Sequence, residues 1–394
     1  MNKKLQVALT DIQLRETNAG GQRVVKTLAM DLHKYYKIIH IGYPISVSKV
    51  SEVYPYKNKT KKLKRSSLLK SALIKRLIKY LFHRINILSN GFFIRNNVYA
   101  DIVISNSNHD DLILLNNSKF HLDYKAGIFI NHDPYFKFGK LYPDRLIKDK
   151  PFKIIALNSI DYKNLIQKYG KANVSLIHNG IEIKNKNFDI KKRLRALKHK
   201  QRLIVSIGRL NETQKKLSIA IKALRKLIKL DKNILFVIAG TGDAANLYTK
   251  LISKYNLKNN VKLLGFITQK EKEKLLTSAD LVLQPSAKEA FSIATLEALA
   301  YGNIVLTTEN NGSADIIKDK KNGFLTDLSE EAIGKNIMQI LNLSKNKKYS
   351  IQKNAFYSAR KFSTEKMLSA YHKVITELKN RIKLSAPTKN MPTL

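Results

Sequence analysis

The stretch Pro285-Ser-Ala-Lys-Glu-Ala-Phe-Ser-Ile-Ala-Thr-Leu-Glu-Ala-Leu-Ala-Tyr-Gly302 decides how this chain is read. It follows a short apolar run, residues 281–283, that reads as a buried strand ending in a Pro-Ser turn. Glu289 therefore belongs on a loop at the carboxyl end of that strand. Eight positions on, Glu297 stands among Leu296, Ala298, Leu299 and Ala300, inside an apolar helix where a bare charge is costly. A helix of this kind, its first N–H groups facing an open crevice, can take a phosphate. The two acids would then hold hydroxyls on either side of it. A nucleotide-sugar offers both kinds of group. The plainer alternative is that each acid pairs with one of the chain's many lysines.

Working outward, apolar strands and amphipathic helices alternate along the whole chain, the pattern of a doubly wound α/β architecture. Strands are expected at 6–9, 37–41, 102–104, 128–130, 153–157 and 174–177 in the first half. The second half has them at 203–207, 235–239, 261–264, 281–283 and 304–307. Between the halves, residues 184–200 are polar and basic, as suits a linker. Helices are expected at 217–229 and, near the C-terminus, at 333–343, 355–362 and 367–378. In open α/β sheets ligands bind beyond the carboxyl ends of strands, and every motif of interest falls at such an end.

Gly208-Arg209-Leu210 follows one buried strand, with Lys215 and Lys216 a short loop further on. An arginine and a lysine converging there would clamp a diphosphate, the first as a rigid donor fork and the second as a point charge. Gly20-Gly21 follows the first strand and opens a helix. Paired glycines allow close backbone approach to a ligand, although a plain turn would need them equally. His132 ends the strand 128–130 in an Asn-His-Asp-Pro sequence, with His109 as a rival. Gly240-Thr241-Gly242-Asp243 has the look of a phosphate loop, but Gly-x-Gly alone is a weak signal. Gly265-Phe266-Ile267 ends the next strand, and His178-Asn179-Gly180-Ile181 leads out of the first half.

Together these motifs resemble those of the retaining glycosyltransferases of family 4, and the resemblance covers nearly the whole chain. It implies the GT-B fold, two Rossmann-like domains facing across a cleft. Residues 1–180, with 365–394 crossing back, would form the acceptor domain, and 181–364 the nucleotide-sugar domain. The resemblance makes Glu289, Arg209, Lys215 and His132 the catalytic group. The donor would be met by Gly20, Gly21, Glu297, Phe291, Ser292, Ile293, Phe266 and Ile267. Within that pattern Arg209 and Lys215 offset charge on the departing nucleotide; Lys216 matches a variable position. Glu297 accepts from ribose hydroxyls, Glu289 and His132 hold the sugar, and the backbone at 266–267 meets the base. Gly240-Thr241-Gly242 becomes a structural turn, as does His178-Asn179-Gly180. Ala290 and Ser292 stand where the family often has glycine, against the sugar. The donor is expected to be a nucleotide-diphosphate sugar, UDP being the family's commonest, with no cofactor. No Asp-x-Asp motif is present, so cations would replace a metal. The acceptor would be a cell-surface polysaccharide, a glycolipid or another glycan. Two rivals share the architecture: a nucleotide-sugar epimerase, and a catalytically silent glycosyltransferase-like subunit.

Composition sets the surroundings. The formal net charge of +42 over 394 residues implies attraction to polyanions. An anionic membrane surface is the favoured partner, because residues 57–95 combine a lysine run with apolar residues recurring every fourth position over 69–85. Lys75, Arg76 and Lys79 lie on the opposite side of that expected helix, which could equally be a core helix with a basic back. Dispersed lysines without a recognisable motif argue against nucleic acid. There is no cysteine, so disulfides are excluded and a reducing cytoplasm fits. The N-terminal apolar run stops at Asp11, short of a signal peptide's apolar region, and no uninterrupted apolar run is long enough to span a bilayer. A cytoplasmic protein is expected, held peripherally on the inner membrane face.

Overall fold

The computed structural model describes residues 5–11, 20–42, 52–55, 98–105, 122–131, 150–184, 187–189 and 201–385. His132, His109 and the basic stretch with Lys75, Arg76 and Lys79 lie outside them. The chain divides into two compact units. One takes in Met1–Ala156, Tyr162–Leu176 and Leu368–Leu394, the other Leu157–Asp161 and Ile177–Met367.

In the first unit the described strands are β1 (Gln6–Asp11), β2 (Lys37–Gly42), β3 (Glu52–Pro55), β4 (Val98–Ser105), β5 (Leu122–Asn131), β6 (Phe152–Ala156) and β7 (Val174–Leu176). Helix α1 (Gly20–Leu32) follows β1, and α2 (Ser159–Tyr169) follows β6. The strands pair in parallel in the order β3-β2-β1-β4-β5-β6-β7. In parallel sheets the central strands typically read as unbroken apolar runs. Ile102, Val103 and Ile104 of β4 are buried accordingly.

The second unit repeats the plan. Its elements are β8 (Arg202–Ile207), α3 (Glu212–Lys215), α4 (Leu217–Leu230), β9 (Ile234–Ala239), α5 (Ala245–Lys254), β10 (Val261–Gly265), α6 (Gln269–Ser278), β11 (Leu281–Gln284), α7 (Ile293–Ala300), β12 (Val305–Thr308), α8 (Asn311–Ala314), β13 (Phe324–Thr326), α9 (Glu330–Leu341) and α10 (Lys345–Ala359), with α11 (Thr364–Ser385) starting here. The parallel order is β10-β9-β8-β11-β12-β13. Helix α4 shows why the layers hold. Leu217, Ala220, Ile221, Leu224 and Leu227 recur at helical spacing and are buried against the sheet. Each leucine so buried contributes about 1.5–3 kcal/mol.

Strand order reverses between β8 and β11, where successive crossovers leave the sheet in opposite directions. Such a switch point opens a crevice at the carboxyl ends of the two strands. The first sheet has the same reversal between β1 and β4. Helix α11 ends in the first unit, where Glu377 takes an ion pair from Lys153 at 2.9 Å. Arg381 donates to the Asn173 side chain at 3.1 Å and to the Ala172 carbonyl at 2.7 Å. His372 Nε2 lies 2.8 Å from Asp31 of α1. Among the described residues no helix is long and apolar enough to cross a membrane.

Candidate active site

The chain leaves β8 through Gly208 and presents Arg209 at the surface. Asn211 then starts α3, its side chain accepting from the Gln214 N–H at 2.9 Å. Lys215 ends this short helix and folds back over Gly208. Its Cε stands 3.7 Å from where a Cβ on that glycine would be. Lys216 has φ +48 and makes the left-handed bend between α3 and α4. Of the two lysines considered, Lys215 therefore shares the strand end with Arg209.

Glu289 arrives from β11 on the other side of the switch point. It is buried, and Oε1 forms an ion pair with Lys215 Nζ. Ser286 Oγ donates to the same oxygen at 3.2 Å, and Gln214 Nε2 to Oε2 at 3.4 Å. The Ala287 N–H is bound by the Gln214 carbonyl at 2.8 Å, which pins the loop to α3. From below, the Ser286 carbonyl accepts from Thr308 Oγ1 and, at 3.1 Å, from Asn310 Nδ2. Gly312 of α8 closes the floor: a Cβ there would lie 2.6 Å from the Glu289 carbonyl oxygen. Gly312 and Asn310 were not singled out in the sequence. Their signal was the Asn-Asn-Gly-Ser run, a helix-starting cap in which Asn310 and Ser313 exchange bonds reciprocally.

The Gly-Thr-Gly turn after β9 is packed on this loop. A Cβ on Gly240 would lie 1.8 Å from the Gly208 carbonyl oxygen, and one on Gly242 2.1 Å from that of Leu210. Gly208 N–H donates to Ala239, Leu210 N–H to Thr241 and Gly240 N–H to Gly265, at 3.0, 2.9 and 2.7 Å. The loops after β8, β9 and β10 are thus one hydrogen-bonded assembly. At its far side Gly265 takes φ +69, and Phe266 stands 66% exposed with Ile267 half-buried behind it.

Helix α7 begins at Ser292, whose hydroxyl accepts from the Thr295 N–H at 3.3 Å. The Thr295 hydroxyl is buried without a hydrogen-bond partner. Glu297 lies one turn in. The charge that looked costly in the sequence is matched by Lys272 of α6, 2.8 Å away, a residue the sequence reading overlooked. Both acids of the deciding stretch thus pair with lysine, as the plainer alternative required, but one of those lysines is Lys215. Next on α6, Glu273 binds Lys184 and Tyr301. Burial, with the Glu273 carboxylate nearby, pushes the Tyr301 phenol up to about 12.

The Phe291 ring is buried, its centroid 5.6 Å from that of His178 and 5.7 Å from that of Phe362. Asn158, fully buried, donates to the Ala290 carbonyl at 2.9 Å and to Asp161 at 2.7 Å. Asp315 accepts from the Ser159 N–H at 2.7 Å and lies 2.8 Å from His178 Nε2. Burial would raise the Asp315 carboxyl, but these bonds outweigh it and hold the carboxyl below its ordinary 3.8. Its stabilisation is therefore complete above pH 3.8 and disappears as pH falls through the lower folded-state value. Asp315→Asn should cost about 1–3 kcal/mol at neutral pH and flatten the acid limb of stability measured by urea denaturation. Parallel acid limbs for mutant and wild type would reject this role.

The structure thus brings Arg209, Lys215 and Glu289 to one switch point, and sets Glu297, Phe291, Ser292 and Ile293 on the helix and loop that continue from Glu289. Gly20 and Gly21 open α1 in the first unit. Among the described residues no group of His, Asp and Glu could hold a metal ion.

Both units have the parallel α/β form of GT-B enzymes. The chain superimposes on Anabaena Alr3699/HepE, solved in complex with UDP and glucose, with a TM-score of 0.69 at 16% identity, covering 95% of this chain and 100% of that one. Within the second unit, residues 187–357 match the family model described as glycosyl transferases group 1. The amylovoran biosynthesis glycosyltransferase AmsK of Erwinia amylovora is 33% identical over 149 residues, 36% of each chain. An Escherichia coli enzyme named UDP-Gal:alpha-D-GlcNAc-diphosphoundecaprenol alpha-1,3-galactosyltransferase is 29% identical over 166 residues, 40% of this chain and 42% of its own. The matched segments span between 31% and 54% of the curated relatives' lengths.

Proposed function

We propose that this protein is a retaining glycosyltransferase of the family 4 type, moving a sugar from a nucleotide-diphosphate donor to a surface polysaccharide or lipid-linked glycan. The observation that carries the proposal is the Lys215–Glu289 pair beside Gly208-Arg209, where strand order reverses. A phosphorylated sugar seated there would meet cations at its diphosphate and an acid at its hydroxyls. The second unit would bind the donor and the first the acceptor.

In this mechanism Arg209 and Lys215 stabilise charge growing on the leaving diphosphate, in place of a metal. Preorganised groups aimed at developing charge are worth several kcal/mol each. Glu289 orients the sugar, the N–H groups at 291–293 meet sugar and phosphate, and Glu297 accepts from the ribose hydroxyls. His132 would hold a sugar hydroxyl, and Gly20 and Gly21 would admit donor and acceptor. The acceptor hydroxyl attacks from the face the diphosphate leaves, its proton passing to the departing phosphate oxygen, so anomeric configuration is kept. UDP is the preferred nucleotide, since the named galactosyltransferase uses a UDP-sugar and HepE was solved with UDP. The diphosphoundecaprenol acceptor in that relative's name favours a lipid-linked acceptor here, and the charge of +42 fits a peripheral place on the inner membrane face.

A panel of nucleotide-sugars, scored by thermal stabilisation and by transfer to lipid-linked acceptors, tests the reading. One donor should raise the melting temperature and give a product with the donor's anomeric configuration. Stabilisation by none, or an inverted product, rejects it.

A further inference from the structure

We propose that Lys272 is a positioning residue for nucleotide recognition, working through Glu297; this rests on Glu297 being the acceptor for the ribose hydroxyls. Lys272 Nζ lies 2.8 Å from Glu297 Oε1, and the two side chains are only 14% and 13% exposed. A charge-assisted bond so shielded from water is strong and directional.

The surroundings fix both partners. Glu297 stands on α7 between Leu296 and Ala298, both fully buried, so its helix cannot roll without breaking the core. Lys272 is on the first turn of α6, whose start is set by a reciprocal cap. Thr268 accepts from the Glu271 N–H at 3.3 Å, and the Glu271 carboxylate accepts from the Thr268 N–H at 2.6 Å. That cap follows directly on Gly265-Phe266-Ile267, so the cation is tied to the loop proposed to meet the base. A second link runs beside the first: Glu273 reaches Tyr301, one turn beyond Glu297, and is itself held by Lys184 and by Gln269 at 3.1 Å. Two adjacent α6 residues thus engage Glu297 within α7 and Tyr301 at its C-terminal cap, which locks the rotation of one helix against the other.

The charge arrangement has a consequence for the ligand. A lone carboxylate near a diphosphate would repel it, whereas a carboxylate in an ion pair presents little net charge at a distance. It still offers acceptor oxygens at short range, where a vicinal diol could use them. Glu289 and Lys215 repeat the device at the sugar end. Lys272 would therefore let an acidic hydroxyl-binding residue work beside a dianion, and aim it at the ribose.

Because Lys272 is not placed on the leaving group, its loss should appear in donor affinity and ribose discrimination rather than in turnover. Wild-type protein is first titrated calorimetrically with UDP, GDP and ADP, and the tightest of these is compared with its 2′-deoxy form. K272M should bind the ribonucleotide about ten- to a hundredfold more weakly. The 2′-deoxynucleotide should be little affected, so the ribo-to-deoxy ratio falls toward one. K272R should restore most of the ratio, and kcat with the matching donor should change less than KM. Removing both charges in K272M/E297Q should be no worse than E297Q alone, a comparison that stands even if K272M does not fold. Equal losses for both nucleotides, an unchanged ratio in K272M, or a further tenfold loss in the double variant would overturn the role of Lys272 and leave the glycosyltransferase reading standing. Failure of the wild type to bind any of the three nucleotides would overturn both.

Discussion

On the proposed mechanism, Arg209→Ala is expected to lower sugar transfer by about a hundred- to a thousandfold, the loss typical when a preorganised donor to transition-state charge is removed. Stability should stay within about 0.5 kcal/mol of wild type, because the side chain is on the surface. The loop itself is held by backbone bonds that the mutation does not touch, from Leu210 N–H to Thr241 and from Ala244 N–H to Leu210. Arg209→Lys should recover only part of the rate, since an ammonium keeps the charge but not the planar fork. Initial rates with the matched donor, beside thermal melts of the same preparations, separate these effects. A rate within tenfold of wild type for the alanine variant would remove Arg209 from the chemistry.

A second large effect is expected at a residue that touches no ligand in the proposed mechanism. Gly240→Ala would drive a methyl group to 1.8 Å from the Gly208 carbonyl oxygen, at a backbone φ of +137 that side chains rarely adopt. Strain and overpacking together should cost about 2–6 kcal/mol. The structure can relieve the clash only by moving the Gly208-Arg209 loop, so the folded fraction should lose activity too. Gly170→Ala is the natural control, with φ +78 but open space around it, and should cost about 1–3 kcal/mol from backbone strain alone. Urea unfolding of the two variants distinguishes steric from conformational cost. Equal midpoints would show that the contact at Gly240 relaxes without consequence.

These glycines bear on what could be read from the sequence. Strand–helix alternation was legible because central parallel strands are short apolar runs and helices such as α4 keep their period. β3 and β13 were not expected: Glu52-Val-Tyr-Pro55 begins with a charge and ends in proline, and Phe324-Leu-Thr326 follows a polar run, so neither stands out as the apolar run of β11 does. Helix α10 was placed only from residue 355, since its first half is polar and its start depends on Ser344 capping the Lys347 N–H at 3.3 Å. The loop position of Glu289 and the helical position of Glu297 followed from neighbouring residues alone. Their partners did not. Lys215 and Glu289 are 74 positions apart and Lys272 and Glu297 are 25, and among 72 lysines and arginines no local rule selects one. Gly312 was equally hidden, because its demand for a bare Cα comes from a loop of another strand.

The anchoring of α11 bears on how the molecule is made. Residues 372, 377 and 381 bind partners at 31, 153 and 172–173, which leave the ribosome hundreds of residues earlier. The first sheet must therefore wait for these contacts until residues 372–381 have been made. The second unit has all its strands by Thr326 and can consolidate while translation continues. The half that begins first is the half that finishes last.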